Sequence, residues 1–219
     1  MHPEVRLFGR SSSHFTRVAA IFAHELAVPF QLEVVHEITS LDAAIYGGHP
    51  ALKIPTLRAG ASLVFGAENI CRKLTGLAGR AGDPRVVFAE AITADTGRCA
   101  QELVWHAMAA QVQLVVGTVF ARLPPDNVFF AKASAGLQGA LAWLDDHVAE
   151  AFALLPADRD LSIFEVTLFS LVEHLSFRPT VDVERYQKLR RFAAAFALRD
   201  SARRTAFTFD PVPLPENHT

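Results

Sequence analysis

Three serines in a row, Ser11-Ser12-Ser13, sit in a short polar loop, Arg10 to His14, just ahead of the apolar helical stripe Phe15, Val18, Ala19, Phe22 and Leu26. A helix N-terminus offers unsatisfied N–H groups and a partial positive charge, so an anion placed at this loop meets hydroxyl donors and helix end together. A serine in that position is also an ordinary N-cap. The second chemical feature is main chain. In His49-Pro50-Ala51-Leu52-Lys53-Ile54-Pro55-Thr56-Leu57, Pro55 stands where a strand should begin, the position in a sheet that tolerates proline. A cis Ile54-Pro55 bond is expected to be a deliberate feature of the loop. It would leave the N–H and C=O of Ile54 turned outward, free to pair with an extended, peptide-like ligand. The two cysteines, Cys71 and Cys99, form no CxxC pair and fall within predicted helices, which fits a reducing compartment. Cys71 is next to Ile70 on the apolar side of its helix, where a free thiol is usually inert. The histidines show no His-x-x-x-His spacing or carboxylate cluster, so no metal is expected.

These residues must be placed by a chain whose two parts have different patterns. Val5 to Phe8 is a short apolar run ending at Gly9, and the helical stripe follows until Pro29. Phe30 to Val35 alternates as a half-buried strand, Ser40 to Tyr46 is a weak helical turn closed by Gly47-Gly48, and Gly60 turns a hairpin between Thr56-Leu57 and Ser62-Leu63-Val64. Glu68 to Leu77 carries Ile70, Leu74 and Leu77 at helical spacing. The order is β-α-β-α-β-β-α. From Asp83 apolar residues recur at three and four with no hairpin signals, which predicts a helical bundle. Asp83-Pro84 is expected to start a helix running to about Val116, Phe129 to Leu154 a second, and Val183 to Leu198 a last one. Ser162-Ile163-Phe164-Glu165 reads as a capping box opening a buried helix, Val166 to Leu175. The expected organisation is an α/β domain over 1–78, a linker over 79–82, an all-helical domain over 83–209 and an irregular tail over 210–219.

At 219 residues and net charge −2, with 51% hydrophobic and 20% charged residues, the composition favours neither nucleic acid nor an anionic membrane. The longest stretch free of charge and histidine, Ala107 to Ala121, is too short and too polar to span a bilayer. The N-terminus has no pattern of an export signal. The expectation is a cytoplasmic protein with a small-molecule substrate, no nucleic acid and no membrane.

A β-α-β-α-β-β-α domain with proline opening its third strand, followed by an all-helical domain, resembles the soluble glutathione transferases over nearly the whole chain. Their proline motif, Asn-Pro-x-x-Lys-Val-Pro-x-Leu, is similar to residues 49–57, with His49 in place of asparagine. Ser13-His14-Phe15-Thr16-Arg17-Val18 resembles their Ser-Pro-Phe-Val-Arg-Lys-Val start, and Ser162 to Glu165 their Ser/Thr-x-x-Asp. Arg10 to Ser13 is also similar to the Arg-Ser-Ser-Cys of the zeta class. The resemblance implies a thioredoxin-like first domain and a homodimer. It also implies glutathione as co-substrate and catalysis by Ser13, with Ser11 or Ser12 as alternates. A free cysteinyl thiol has a pKa near ~8.5, so a hydroxyl that stabilises thiolate would serve the reaction. With serine at this loop, mixed-disulfide chemistry is disfavoured.

The resemblance places Lys53 on the glycyl carboxylate and the Ile54-Pro55 main chain beside glutathione. It fails at the next helix, where Gly66-Ala67 replaces the family's Glu-Ser. Ala67 can give only its backbone N–H to the γ-glutamyl carboxylate, and Glu68 could instead meet an amino group. His14, Phe15, Trp105 and His106 are candidates for the second-substrate pocket. The opposing expectation is a transferase-fold binding protein that has lost glutathione.

Overall fold

The computed structural model describes residues 4–211. Its first part is a four-stranded sheet in the order β2-β1-β3-β4. Strand β1 (Val5–Gly9) runs parallel to β2 (Gln31–Val34), pairing Arg6 with Gln31 and Gly9 with Val34. It runs antiparallel to β3 (Thr56–Ala59), which turns back into β4 (Ser62–Phe65). Val5 and Leu7 alternate with exposed or half-buried neighbours, the period-two pattern that puts one face of the strand into a core. Helices α1 (His14–Glu25) and α2 (Ala67–Leu77) pack against each other there, burying Val18, Ile21, Phe22, Ile70 and Leu74. The weak turn predicted before Gly47 is a single 3₁₀ turn, Ala43–Tyr46, capped by the Asp42 carboxylate, with the Tyr46 hydroxyl donating to Ser40 O at 3.0 Å. The element order matches the one read from the sequence.

In the second part, α3 (Asp95–Val115) continues as a π turn to Phe120 and packs along α4 (Val128–Ala153). Helix α5 (Ile163–Phe177) lies in the middle, in contact with α1, α3 and α6 (Gln187–Phe196). Asp95–Phe120 is apolar and long enough to cross a membrane by length and composition. The charge-free run Ala107 to Ala121 understates it. Its buried face nevertheless carries Gln101, donating to Thr167 Oγ1 at 3.3 Å, and Gln111, bonded to α5 and the segment after it. The Gln111 amide, and the nitrogen of Gln101, are satisfied by protein partners, as in the core helix of a bundle, while Gln101 Oε1 is buried without one.

Three local expectations are corrected. Asp83-Pro84 does not start the long helix. Val86–Val87 forms a two-residue strand, β5, parallel to β6 (Leu161–Ser162), and Asp83 instead accepts the Arg85 N–H at 2.9 Å and pairs with Arg80 at 2.7 Å. Two β-branched residues with a strand partner available win over the proline signal, and the helix begins only at Asp95. The capping box is absent as well. Ser162 enters α5 from extended backbone, its hydroxyl is buried without a partner, and Glu165 is held by both Arg159 nitrogens at 2.7 and 2.8 Å. The last helix is broken into a 3₁₀ turn, Val183–Arg185, and α6, after which a further short helix, α7 (Asp200–Arg204), packs on α1. Asp210 and Pro211 have no regular secondary structure, and the rest of the expected tail, residues 212–219, lies outside the described residues.

Candidate active site

The end of β1 sets the serine loop. A Cβ on Gly9 would sit 2.4 Å from Thr16 Oγ1, so only glycine lets the first turn of α1 close onto the strand. Thr16 Oγ1 then accepts the Arg10 N–H at 3.3 Å, and Ser13 N–H donates to Arg10 O at 3.1 Å. Replacing Gly9 by alanine is expected to displace Thr16 and the loop and lower stability by about 1–3 kcal/mol. Thermal unfolding checks this, and an unchanged midpoint would contradict it.

Ser13 is the N-cap of α1: its Oγ accepts the Thr16 N–H at 3.3 Å. A hydroxyl can accept through a lone pair and donate its proton elsewhere, so the cap leaves Ser13 able to donate to an anion. Ser12 is buried and Ser11 half-buried. The Ser11 N–H donates to Asp210, with the two carboxylate oxygens at 3.1 and 3.2 Å. No local sequence signal announces this contact, because its partners stand 199 residues apart.

Across the sheet, Ile54-Pro55 is cis. Among the described residues neither the N–H nor the C=O of Ile54 bonds to another backbone group. His49, where the transferase pattern has asparagine, accepts the Ala51 N–H on Nδ1 at 3.1 Å, the local turn contact an asparagine makes. Lys53 is exposed and makes no ion pair among the described residues. Helix α2 starts at Gly66, at φ +83°, with no side-chain cap, and Ala67 follows, buried. Glu68 is engaged through one carboxylate oxygen. Its carboxylate lies 2.6 Å from Arg72, which is also bonded to Glu90 at 2.7 Å.

Phe15 stacks on Trp105 with parallel rings, centroids 6.0 Å apart, so two of the proposed pocket residues come together. His14 lies beneath them rather than at a surface: it is 1% exposed, edge-on to Phe15 and 4.4 Å from the ring of His174. His106 is exposed, pairs with Glu102 at 3.0 Å and takes no part in this aromatic group. Sequence reasoning missed His174, Gln111 and the aromatic setting of Arg17. His174 Nδ1 accepts from Gln111 Nε2 at 3.3 Å in the tautomer protonated on Nε2. Burial, with repulsion from Arg178 and Arg17 outweighing the pull of the Ser12 backbone, lowers its pKa to about 4. Burial and His174 hold His14 well below the ordinary imidazole value, against a lesser pull from the Met108 backbone. Arg17 lies between Phe169 and Phe207, 4.6 and 4.3 Å from their centroids, and burial lowers its pKa to about 10. Cys71 is wholly buried and its thiol pushed up, by burial first and Glu68 second, which fits an inert side chain.

No protein-family model and no curated protein matched the chain. Solved structures did. A glutathione S-transferase from Methylobacillus flagellatus with glutathione bound is 18% identical with a TM-score of 0.72, over 94% of this chain and 100% of that one. One from Methylobacterium radiotolerans, complexed with glutathione sulfonate, is 20% identical at 0.71, over 96% and 98%. A glutathione transferase from Populus trichocarpa is 16% identical at 0.63, over 92% and 96%. The chain therefore has the glutathione transferase fold: a thioredoxin-like sheet with its helices, followed by a helical bundle.

Proposed function

We propose that the chain is a glutathione transferase-like enzyme in which Ser13 donates to the thiolate of glutathione and the helical part offers an apolar co-substrate to it. The observation that carries this reading is the Ser13 hydroxyl, fixed by its cap at the start of α1 with its proton uncommitted. Ile54 has the unpaired backbone groups that a γ-glutamyl-cysteinyl-glycine chain could pair with, and Lys53 is the available cation for its glycyl carboxylate. Two of the similar structures hold glutathione or its sulfonate. Phe15 and Trp105 offer an apolar surface for the second substrate. Ser11 and Ser12 are alternates for the catalytic hydroxyl. The reaction is conjugation, peroxide reduction or isomerisation, and the reading includes a cytoplasmic homodimer with a boundary near residues 79–82.

The α2 end of the site has only backbone donors. Losing one hydrogen bond to a charged carboxylate costs about 1.5–3 kcal/mol, roughly ten- to a hundred-fold in affinity. Titration calorimetry is expected to give a weak, millimolar glutathione affinity, and Ala67→Ser to raise it about ten-fold. Gly66 stays untouched in that test, because its positive φ would strain any side chain. No heat at millimolar ligand would sink the enzyme reading. The bare Gly66-Ala67 turn and the engaged Glu68 favour one rival, a transferase-fold binding protein. A large gain in Ala67→Ser from an undetectable start supports it.

A further inference from the structure

After α7 the chain runs as a strap across α1 and the end of α5. Phe207 lies on Arg17 and edge-on to His174 at 5.2 Å, and Phe209 sits 4.8 Å from both the Phe177 centroid and the Arg178 guanidinium. These contacts deliver Asp210 to the serine loop. Its side chain is 3% exposed, with both oxygens on the Ser11 N–H and one 3.8 Å from Arg10 Nε. Next to this contact, between α1 and the strap, is a cavity of about 330 Å³. Its walls include Arg10, Ser11, Arg17, Arg203, Arg204 and Thr205, and no aspartate or glutamate among the described residues.

Two of those arginines are incompletely satisfied. Arg17 is 5% exposed, has no carboxylate within ion-pair distance among the described residues, and leaves Nη1 without a hydrogen-bond partner. Arg10 Nε is likewise buried without a hydrogen bond. A buried guanidinium with open donors is costly unless an anion reaches it. Arg203 and Arg204 are exposed walls of this cavity, each ion-paired among the described residues only with the exposed Asp200, at 3.6 and 2.6 Å. The loop thus already binds one carboxylate, the chain's own, beside a hollow with further cationic groups and room for a small molecule.

We propose that this cavity binds a small organic polyanion, a di- or tricarboxylate, and that Asp210 is an internal carboxylate which the ligand displaces. One ligand carboxylate takes over the Ser11 N–H and Arg10, and a second reaches the arginines of the opposite wall. The site shares the serine loop with the proposed thiolate site but draws its other groups from Arg10, Arg17, Arg203 and Arg204 rather than from Lys53 and Ile54, so a change at Arg204 tells the two apart.

Citrate is the probe, titrated into the full chain by calorimetry, with sulfate at matched ionic strength beside it and the Ser11 amide followed by ¹⁵N NMR. Citrate is expected to saturate in the low millimolar range and sulfate to bind at least ten-fold more weakly. Asp210→Asn removes the internal competitor and is expected to tighten citrate about ten-fold. In that variant the Ser11 amide shifts, and citrate moves it back toward its wild-type position. Arg204→Gln, a change at an exposed side chain, is expected to weaken citrate about five-fold while leaving glutathione affinity unchanged. Equal binding of citrate and sulfate overturns the proposal, as does an Asp210→Asn variant that binds citrate no more tightly than the wild type.

Discussion

Ser13→Ala is expected to lower glutathione conjugation of a chlorodinitrobenzene electrophile about a hundred-fold, the usual cost of removing one preorganised donor from a developing or fixed anion. The thiol of bound glutathione should then titrate near the free value of ~8.5 instead of below it. Alanine also removes the cap on Thr16, worth about 1 kcal/mol of stability. Ser13→Asp separates the two effects. Its carboxylate accepts the Thr16 N–H as well as the hydroxyl does, and an acidic group suits a helix N-terminus. It has no proton to give, and its charge opposes a thiolate. A stable but inactive Ser13→Asp therefore assigns the loss to the group that meets the thiolate rather than to the lost cap. Turnover within two-fold of wild type in Ser13→Ala would remove Ser13 from the catalytic role and pass it to Ser11 or Ser12.

Much of the fold is legible in the sequence because it is carried by local signals. Gly9 ends a strand, Pro29 ends a helix, and Pro55 opens a strand in a position where its missing N–H costs nothing. Where local signals lose, they lose to partners far away in the chain. Asp83-Pro84 has the local chemistry of a helix start, and so does Ser162 to Glu165. Both lose to the pairing of Val86–Val87 with Leu161–Ser162 and to the arginines around it: Arg80 and Arg85 on Asp160, and Arg159 on Glu165. A capping box supplies about 1–2 kcal/mol, and several linked ion pairs of up to about 1 kcal/mol each can match it. The candidate site divides in the same way. Ser13, Lys53 and the Ile54-Pro55 main chain are readable because each sits in a short motif. The buried pair beneath them is not, since His14 and His174 meet only through the packing of α1 on α5. A histidine replacing an otherwise apolar or proline position was the one available hint, and it pointed to the surface rather than inward.

That buried pair makes the protein sensitive to acid at a pH where carboxylates are still charged. The unfolded chain takes up protons on these imidazoles near the ordinary value of about 6.5. In the fold, burial keeps His174 neutral down to about 4, and His14 to well below its ordinary value. Protons thus bind the unfolded state first, so stability is complete above pH 6.5 and falls as pH drops toward 4. The slope is about 1.4 kcal/mol per pH unit for a histidine that stays neutral in the fold, or roughly 2 kcal/mol for His174 between pH 6.5 and 4.5, and His14 adds in the same direction. An ordinary domain is stable by only about 5–15 kcal/mol, so this is a sizeable share. His24 and His49 are lowered too, by burial first, and add in the same direction from more exposed positions. Glu25 is raised by burial but brought below its ordinary value by the Arg199 and Ser201 hydrogen bonds taken together. Its contribution is lost only further down, below the ordinary carboxyl value of ~4.3. Urea midpoints at pH 7.5, 6 and 5 are therefore expected to fall steeply. His14→Phe should reduce this loss. His14 makes no complete hydrogen bond and would forfeit only the lesser pull of the Met108 backbone, and Phe15 and His174 already provide an aromatic setting. The substitution replaces two unsatisfied polar atoms by carbon, so it should keep or raise stability at pH 7.5. Equal wild-type midpoints at pH 7.5 and 5 would show that the pair is not buried and neutral in the folded chain.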